Sequence, residues 1–367
     1  MKLTAEHLER DLARRDLTDP AGGPHALQLL VDAAVAVLRE AWGCDVRVAR
    51  GPRVVPLADN YDRLGYPPAA VTRDARYTRY VDDDHVLRSH TSAMIPPALI
   101  GLAVEPVDDV LLVCPGITYR RDSIDRLHTG TPHQLDLWRV SREPVGEEEL
   151  EEMIGLLVGA LAPGRSWRWE PRVHPYTQRG RQVDVQWGDE WVEVWECGLA
   201  HPAVLAGAGL AGWSGLALGM GLDRLLMLRK GIPDIRLLRS SDERVARQMS
   251  DLEPYRSVSN LPSVTRDLSV AIGVDDDVEL LGDRIRDALG AGANILEAVT
   301  ILSETGYADL PAAARERLGL DQTQKNVLVR LELRPLDRTL TDDEANRVRD
   351  EVYHVIHQGA AGQWAGR

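Results

Sequence analysis

The chain has 367 residues, 44% of them apolar and 27% charged, with a formal net charge of −14; this suits one large globular domain with a small one. No stretch approaches the roughly 18 to 20 uninterrupted apolar residues of a membrane span, and the acidic balance excludes wholesale binding of nucleic acid through bulk charge. Cys44, Cys114 and Cys197 lie far apart without CxxC spacing. That gives neither a disulfide framework nor a zinc site and, with a charged N-terminus lacking an apolar signal core, points to a reducing cytoplasm.

Residues 1–20 read as a short polar helix ending near Asp19-Pro20, followed by a linker, Ala21-Gly22-Gly23-Pro24. Residues 25–42 are largely apolar with helical periodicity, which predicts a buried helix. A very apolar strand at 110–114 leads into Gly116-Ile117-Thr118-Tyr119-Arg120-Arg121-Asp122-Ser123-Ile124-Asp125. Two arginines beside two carboxylates make an anion site if the carboxylates orient the guanidinium forks, and a solvated surface loop otherwise. An amphipathic helix over Glu147–Leu161 stops at Pro163-Gly164. Residues 183–187 and 191–195 alternate as strands around Gly188-Asp189-Glu190, a hairpin signal.

A strand at 216–219 then enters a helix at 222–230 through Gly219-Met220-Gly221-Leu222-Asp223-Arg224. The spacing fits neither a Walker loop nor the dinucleotide fingerprint, so these glycines read as a close approach of backbone to ligand. His90-Thr91-Ser92 and His133-Gln134 are polar groups near apolar strands, either satisfied within the core or free to meet a ligand. No histidine has metal-ligand spacing, and no metal ligands are assigned.

A second unit begins near Leu261-Pro262. It runs strand (265–272), helix (278–289), strand (295–303), a looser connection, strand (327–333) and helix (342–357). That order matches most of a ferredoxin-like split motif. The fold class is α+β: an antiparallel sheet flanked by helices, then a small ferredoxin-like α+β domain. The expected division is an N-terminal extension (1–24), a catalytic domain (25–240), a linker (241–261) and a C-terminal domain (262–367).

Taken together, the motifs resemble the single-chain, organellar-type phenylalanyl-tRNA synthetases of class II. Tyr119-Arg120-Arg121-Asp122, Asp125, His128 and His133-Gln134-Leu135-Asp136 are similar to that family's motif 2, YRRDxxDxxHxxxFHQxE. Gly219 to Arg224 with Gly231-Ile232-Pro233-Asp234-Ile235-Arg236 resembles motif 3. Leu87-Arg88-Ser89-His90-Thr91-Ser92 resembles the amino-acid-binding LRxHTS segment, and Asn60-Tyr61-Asp62 and Cys197-Gly198-Leu199-Ala200-His201-Pro202 fall in register. The tail resembles the ferredoxin-fold anticodon-binding domain, including Arg266-Asp267-Leu268-Ser269 and Arg338-Thr339-Leu340-Thr341.

The resemblance implies ATP and Mg²⁺ as cofactors and an amino-acid carboxylate attacking the α-phosphate. Arg120 would hold the α-phosphate and Arg224 the γ-phosphate, a preorganised cationic clamp and the catalytic pair. Asp122, His128, Pro132 and Gly219 would complete the ATP site. His90, Ser92, Gln134 and Asp136 would receive the α-amino group, and His174, Tyr176, Glu196, Cys197 and Ala217 the side chain. The acyl group would pass to tRNA, tRNA-Phe being expected, and the chain would act as a monomer without membrane contact.

The departures are specific. The family's adenine-stacking Phe is Pro132 here, its FPF pair is His174 and Tyr176, and its EVLGCG segment reads Glu193-Val194-Trp195-Glu196-Cys197-Gly198. Ala217 keeps the small residue that leaves room at the ring's far end. Ile95 replaces a Gln, and Leu216, Leu218 and Leu237 replace motif 3 phenylalanines. The whole chain has no Phe beside nine Trp and nine Tyr, where about 14 would be expected at ordinary usage. This predicts selection for synthesis when Phe-tRNA is scarce or mischarged, as in a resistance or specialised copy.

His174 and Glu196 point to a substrate more polar than phenylalanine, or else simply pair with each other or with nearby arginines. Three readings fit the whole chain: a synthetase charging Phe or a polar analogue onto tRNA, a paralogue passing its adenylate to another acceptor, or a non-catalytic tRNA sensor. Retention of both Arg120 and Arg224 argues against the third. Residues 262–367 carry 12 basic against 19 acidic side chains, a net −7, which is poor for tRNA affinity and keeps the second alive.

Overall fold

A computed structural model describes residues 2–258 and 261–362; residues 363–367 of the expected C-terminal domain lie outside the described residues. The chain forms two compact units. The first contains the described residues up to Arg120, Thr131–Pro233 and Arg247–Tyr255, and the second contains Arg121–Gly130, Asp234–Ala246 and the chain from Arg256 onward.

The first unit is built on strands β1 (Asp45–Val48), β2 (Val54–Pro56), β3 (His85–Leu87), β4 (Asp109–Ile117), β5 (His133–Ser141), β6 (Trp167–Pro171), β7 (Thr177–Trp187), β8 (Glu190–Ala200) and β9 (Ser214–Gly221). Seven of them form one sheet in the order β1-β4-β5-β9-β8-β7-β6, with β2 and β3 paired separately. Only the β1–β4 pairing in the large sheet is parallel. From Val110 onward β4 is entirely buried, as its uninterrupted apolar run requires of a strand covered on both faces. The helix Ala26–Trp42 packs against Glu147–Leu161. The helix Ile95–Val104 inserts Leu99 and Leu102 into a cluster with Leu112, Cys114, Trp138 and Ala217.

Two local expectations change. The first helix spans only Ala5–Leu12. The Asp16 carboxylate accepts from the Thr18 backbone N–H at 2.9 Å and its hydroxyl at 2.7 Å, a local turn that competes with helix, while Leu17 and Thr18 are buried. The hairpin strands β7 and β8 run 11 residues each, well beyond the alternating stretches. Register shifts between Gln178 and Arg181 and between Val183 and Asp184 are irregularities of the bulge kind, which erase the period-two pattern.

The second unit has strands β10 (Val264–Gly273), β11 (Leu296–Gly306) and β12 (Gln324–Leu333), ordered β10-β12-β11 and antiparallel throughout. With the helices Val278–Leu289 and Asp342–Ile356 this is the split arrangement the element order predicted. The looser connection holds an unforeseen helix, Ala312–Leu318, which ends on Gly319 at φ +58° and buries Leu318 beside Ala271. Ile124 is part of this unit's apolar core, and its carbonyl accepts from the Val299 N–H at 2.8 Å.

Candidate active site

Strand register sets the site. Asp136 on β5 lies opposite Gly219 on β9, which lies opposite Glu196 on β8. Directly opposed residues share a face, so two carboxylates flank one glycine in a row across three strands. A Cβ on Gly219 would sit 3.7 Å from the Asp136 carboxylate, at ordinary van der Waals contact.

Asp136 is 2% exposed. Burial raises its pKa to about 6, against the opposing pull of Thr91, Ser92 and Trp138. The Thr91 hydroxyl donates to Oδ2 at 2.6 Å, while Oδ1 has no well-formed hydrogen bond. The Gln134 amide oxygen accepts from the Thr91 N–H at 3.3 Å, and Ser92 is buried in the same 3₁₀ turn.

Burial, then the nearby positive charge of Arg120, push the His90 pKa down to about 3, so its ring is neutral at physiological pH. Neither of its ring nitrogens makes a well-formed hydrogen bond within the protein. His90 faces Tyr66, with centroids 5.8 Å apart, and Tyr66 lies 6.2 Å from Tyr176. Tyr176 stacks on Trp138 at 6.0 Å and on His174 at 5.6 Å. Tyr66 escaped sequence reading because a lone tyrosine in a Gly-Tyr-Pro turn has no periodicity and no charge pattern.

His174 Nε2 lies 2.7 Å from one Glu196 oxygen, and Arg172 Nε donates to the other at 2.8 Å. Burial alone would raise the Glu196 pKa, but these two partners outweigh it and hold the carboxyl below its ordinary value. Ala217 is fully buried opposite Trp138, whose indole shares its cluster; the room beside Ala217 is therefore filled. Cys197 requires a correction. In regular register with Leu218 it points to the sheet face opposite Glu196, near Arg181 and Glu151, and burial pushes its thiol up to about 12. Its side chain lines no amino-acid site.

Arg120 is half-buried and donates from Nε to the Ser89 carbonyl at 2.9 Å. Arg224 stands in the first turn of the helix Leu222–Lys230 and exerts charge on Glu193, whose pKa is raised by burial and by Glu196. The Pro132 carbonyl, just before β5, accepts from the Thr118 N–H at 2.7 Å.

Asp122 and His128 belong to the second unit. There Asp122 Oδ1 accepts from the Ser123 N–H at 2.9 Å, and His128 Nδ1 lies 2.7 Å from Asp125 Oδ2. Asp125 falls to about 2; the His128 ring and the Leu127 and His128 N–H groups overcome the cost of its burial. The Arg286 guanidinium binds the Asp122 and Ser123 carbonyls. A Cβ on Gly282 would meet the Asp122 carbonyl at 2.7 Å, so only glycine admits the loop this closely. Arg121 is not a solvent-facing anion ligand: it pairs at 3.1 Å with buried Asp283.

Among the described residues no cluster of three or more His, Cys, Asp or Glu has metal-holding geometry, and no helix is long and apolar enough to cross a membrane. The family described as tRNA synthetases class II core domain (F) matches residues 15–249. The phenylalanine--tRNA ligase alpha subunit of Prochlorococcus marinus (strain MIT 9313) is 35% identical over 240 residues, which is 64% of this chain and 69% of that protein. The probable mitochondrial phenylalanine--tRNA ligase of Drosophila melanogaster is 26% identical, covering 82% of this chain and 74% of that one. With that family match over most of its length, the chain belongs to the class II tRNA synthetase core family and is a phenylalanine--tRNA ligase-like enzyme.

Proposed function

We propose that this enzyme uses ATP to activate phenylalanine or a more polar aromatic analogue and transfers the acyl group to tRNA, with tRNA-Phe as the expected acceptor. The observation that carries the reading is Asp136: a buried carboxylate whose Oδ1 makes no well-formed hydrogen bond, beside Thr91, Ser92 and neutral His90, receives an α-ammonium group. The substrate carboxylate then attacks the α-phosphate, the bond to the β-phosphate breaks and pyrophosphate leaves. Arg120 holds the α-phosphate and Arg224 the γ-phosphate. Mg²⁺, which the family resemblance implies, would supply charge neutralisation at the phosphates and would need only one or two carboxylates from the protein.

The C-terminal domain, 262–367, is assigned to the anticodon stem. The enzyme is assigned to the cytoplasm as a monomer, in keeping with free, buried Cys44, Cys114 and Cys197. The absence of Phe from the chain supports a resistance or specialised copy. Amino-acid-dependent ATP–pyrophosphate exchange, followed by acylation of tRNA-Phe, tests the reading. Exchange without acylation would favour an adenylating paralogue with a non-tRNA acceptor, the reading that the net −7 of residues 262–367 keeps open. Silence with every amino acid would leave a non-catalytic tRNA-binding role.

A further inference from the structure

We infer that the amino-acid site selects a substrate whose side chain ends in a hydrogen-bond donor, seated on Glu196 while its α-amino group rests on Asp136. This deepens the proposed synthetase function and depends on it.

Three observations converge. Asp136, Gly219 and Glu196 form one row on one face. Neighbouring strands are about 4.8 Å apart, so two strand steps separate the acids by roughly 10 Å. Subtracting a partial hydrogen-bond length at each end leaves about 5 to 7 Å between the two donor atoms of a bridging ligand. A ring-bearing side chain with a terminal hydroxyl or amine spans that distance, as does a four-carbon chain ending in ammonium. A phenylalanine reaches across but ends in C–H.

Secondly, Glu196 retains acceptor capacity. One oxygen faces His174 Nε2 and the other accepts from Arg172 Nε, whereas an ionised carboxylate offers about four lone-pair positions. The two partners fix its orientation and keep it anionic, and a carboxylate at the end of a ring site penalises an apolar group that displaces its water. Thirdly, the apolar depth is already filled, with Trp138 opposite Ala217 and stacked on Tyr176. A ring lying along the row therefore ends at Glu196 and not in a deeper apolar pocket, so its far end meets a carboxylate.

The test is ATP–pyrophosphate exchange by the full-length enzyme with phenylalanine, its meta- and para-hydroxy and amino derivatives, and lysine and ornithine. Donor-bearing amino acids should exceed phenylalanine in kcat/KM by at least about tenfold. The aromatic and aliphatic arms identify which carries the donor. The near-isosteric Glu196→Gln should cut kcat/KM for the preferred substrate by roughly 10- to 100-fold, and Glu196→Gly should shift preference towards phenylalanine. The ratio between two substrates within one variant does not depend on the fraction folded. Phenylalanine exchanging as well as any donor-bearing substrate, or a ratio unmoved by both variants, overturns the inference and leaves the synthetase standing. Silence of the wild type across the panel overturns both.

Discussion

His133 and Asp223 tie the strand that carries Asp136 to the helix that carries Arg224. Asp223 accepts from the His133 backbone N–H with one oxygen and lies 2.9 Å from its Nδ1 with the other. The remaining ring nitrogen, Nε2, accepts from the Leu17 N–H at 3.1 Å. The network therefore assigns His133 the neutral Nδ1–H tautomer, with every ring nitrogen engaged inside the protein.

Asp223→Asn tests that linkage. An amide turns one acceptor into a donor, so either the His133 ring or its backbone N–H meets another N–H. The expected loss is about 1.5 to 3 kcal/mol of stability, read by urea denaturation. A change within about 0.5 kcal/mol would mean the pair is incidental. Because the same change displaces the helix bearing Arg224, KM for ATP should rise with it.

Asp136 predicts the opposite sign. Its folded pKa is about 6 against 3.8 for an ordinary aspartate, so the folded state binds the extra proton between those values. Stability should fall as pH rises from about 4 to 6, and the cost of the buried charge is full above pH 6. That difference corresponds to up to about 3 kcal/mol. Asp136→Asn keeps an acceptor for the Thr91 hydroxyl, so it should stabilise the protein at pH 7 and flatten this pH dependence. Amino-acid exchange should be lost in the same variant. If Asp136→Asn is less stable at pH 7, the buried carboxylate is fully compensated in the folded protein and its charge costs nothing.

How far the site was legible follows from the same residues. The sequence set Arg224 at the start of a helix, where it stands in the first turn of Leu222–Lys230, whereas β5, the strand that carries Asp136, was not anticipated. Sequence alternatives for His133 were resolved only by Leu17 and Asp223, 116 and 90 residues away. Cys197 was misassigned because it neighbours Glu196 in sequence, and a strand sends neighbours to opposite faces. Trp138 passed unnoticed, since an aromatic in a buried strand is ordinary until register sets it against Ala217. The β10-α-β11-β12-α order was readable from patterning, while residues 121–130 gave no local sign of joining the second unit.

Arg121 and Asp283 give a prediction for that unit. Both side chains are almost fully buried. Removing Asp283 takes a buried opposite charge away from Arg121, so Asp283→Ala should cost up to about 3 to 5 kcal/mol. Replacing both with leucine should cost less than either single change, because no charge remains buried. Hydrogen exchange at the Val299 amide, which bonds the Ile124 carbonyl, should accelerate in the single variants. Unchanged protection would show that the Arg121–Asp283 pair does not anchor the segment.

The absence of phenylalanine does not come from a lack of buried aromatic positions. Leu216, Leu218 and Leu237 are buried, and the largest fully buried side chains include Trp138, Trp195, Tyr61 and Tyr119. Aromatic volume is used freely, so only the amino acid specified by Phe codons is avoided. If the enzyme works while Phe-tRNA is scarce or carries another residue, its own translation should be insensitive to that state. Expression in a phenylalanine auxotroph under starvation, against a same-length control with ordinary Phe content, measures this. Yield of the wild-type chain should hold while the control falls. Restoring phenylalanine at Leu216, Leu218 and Leu237 should make yield fall with the control, without abolishing activity in protein made under replete conditions. A wild-type yield that declines in step with the control would remove translation as the reason for the bias.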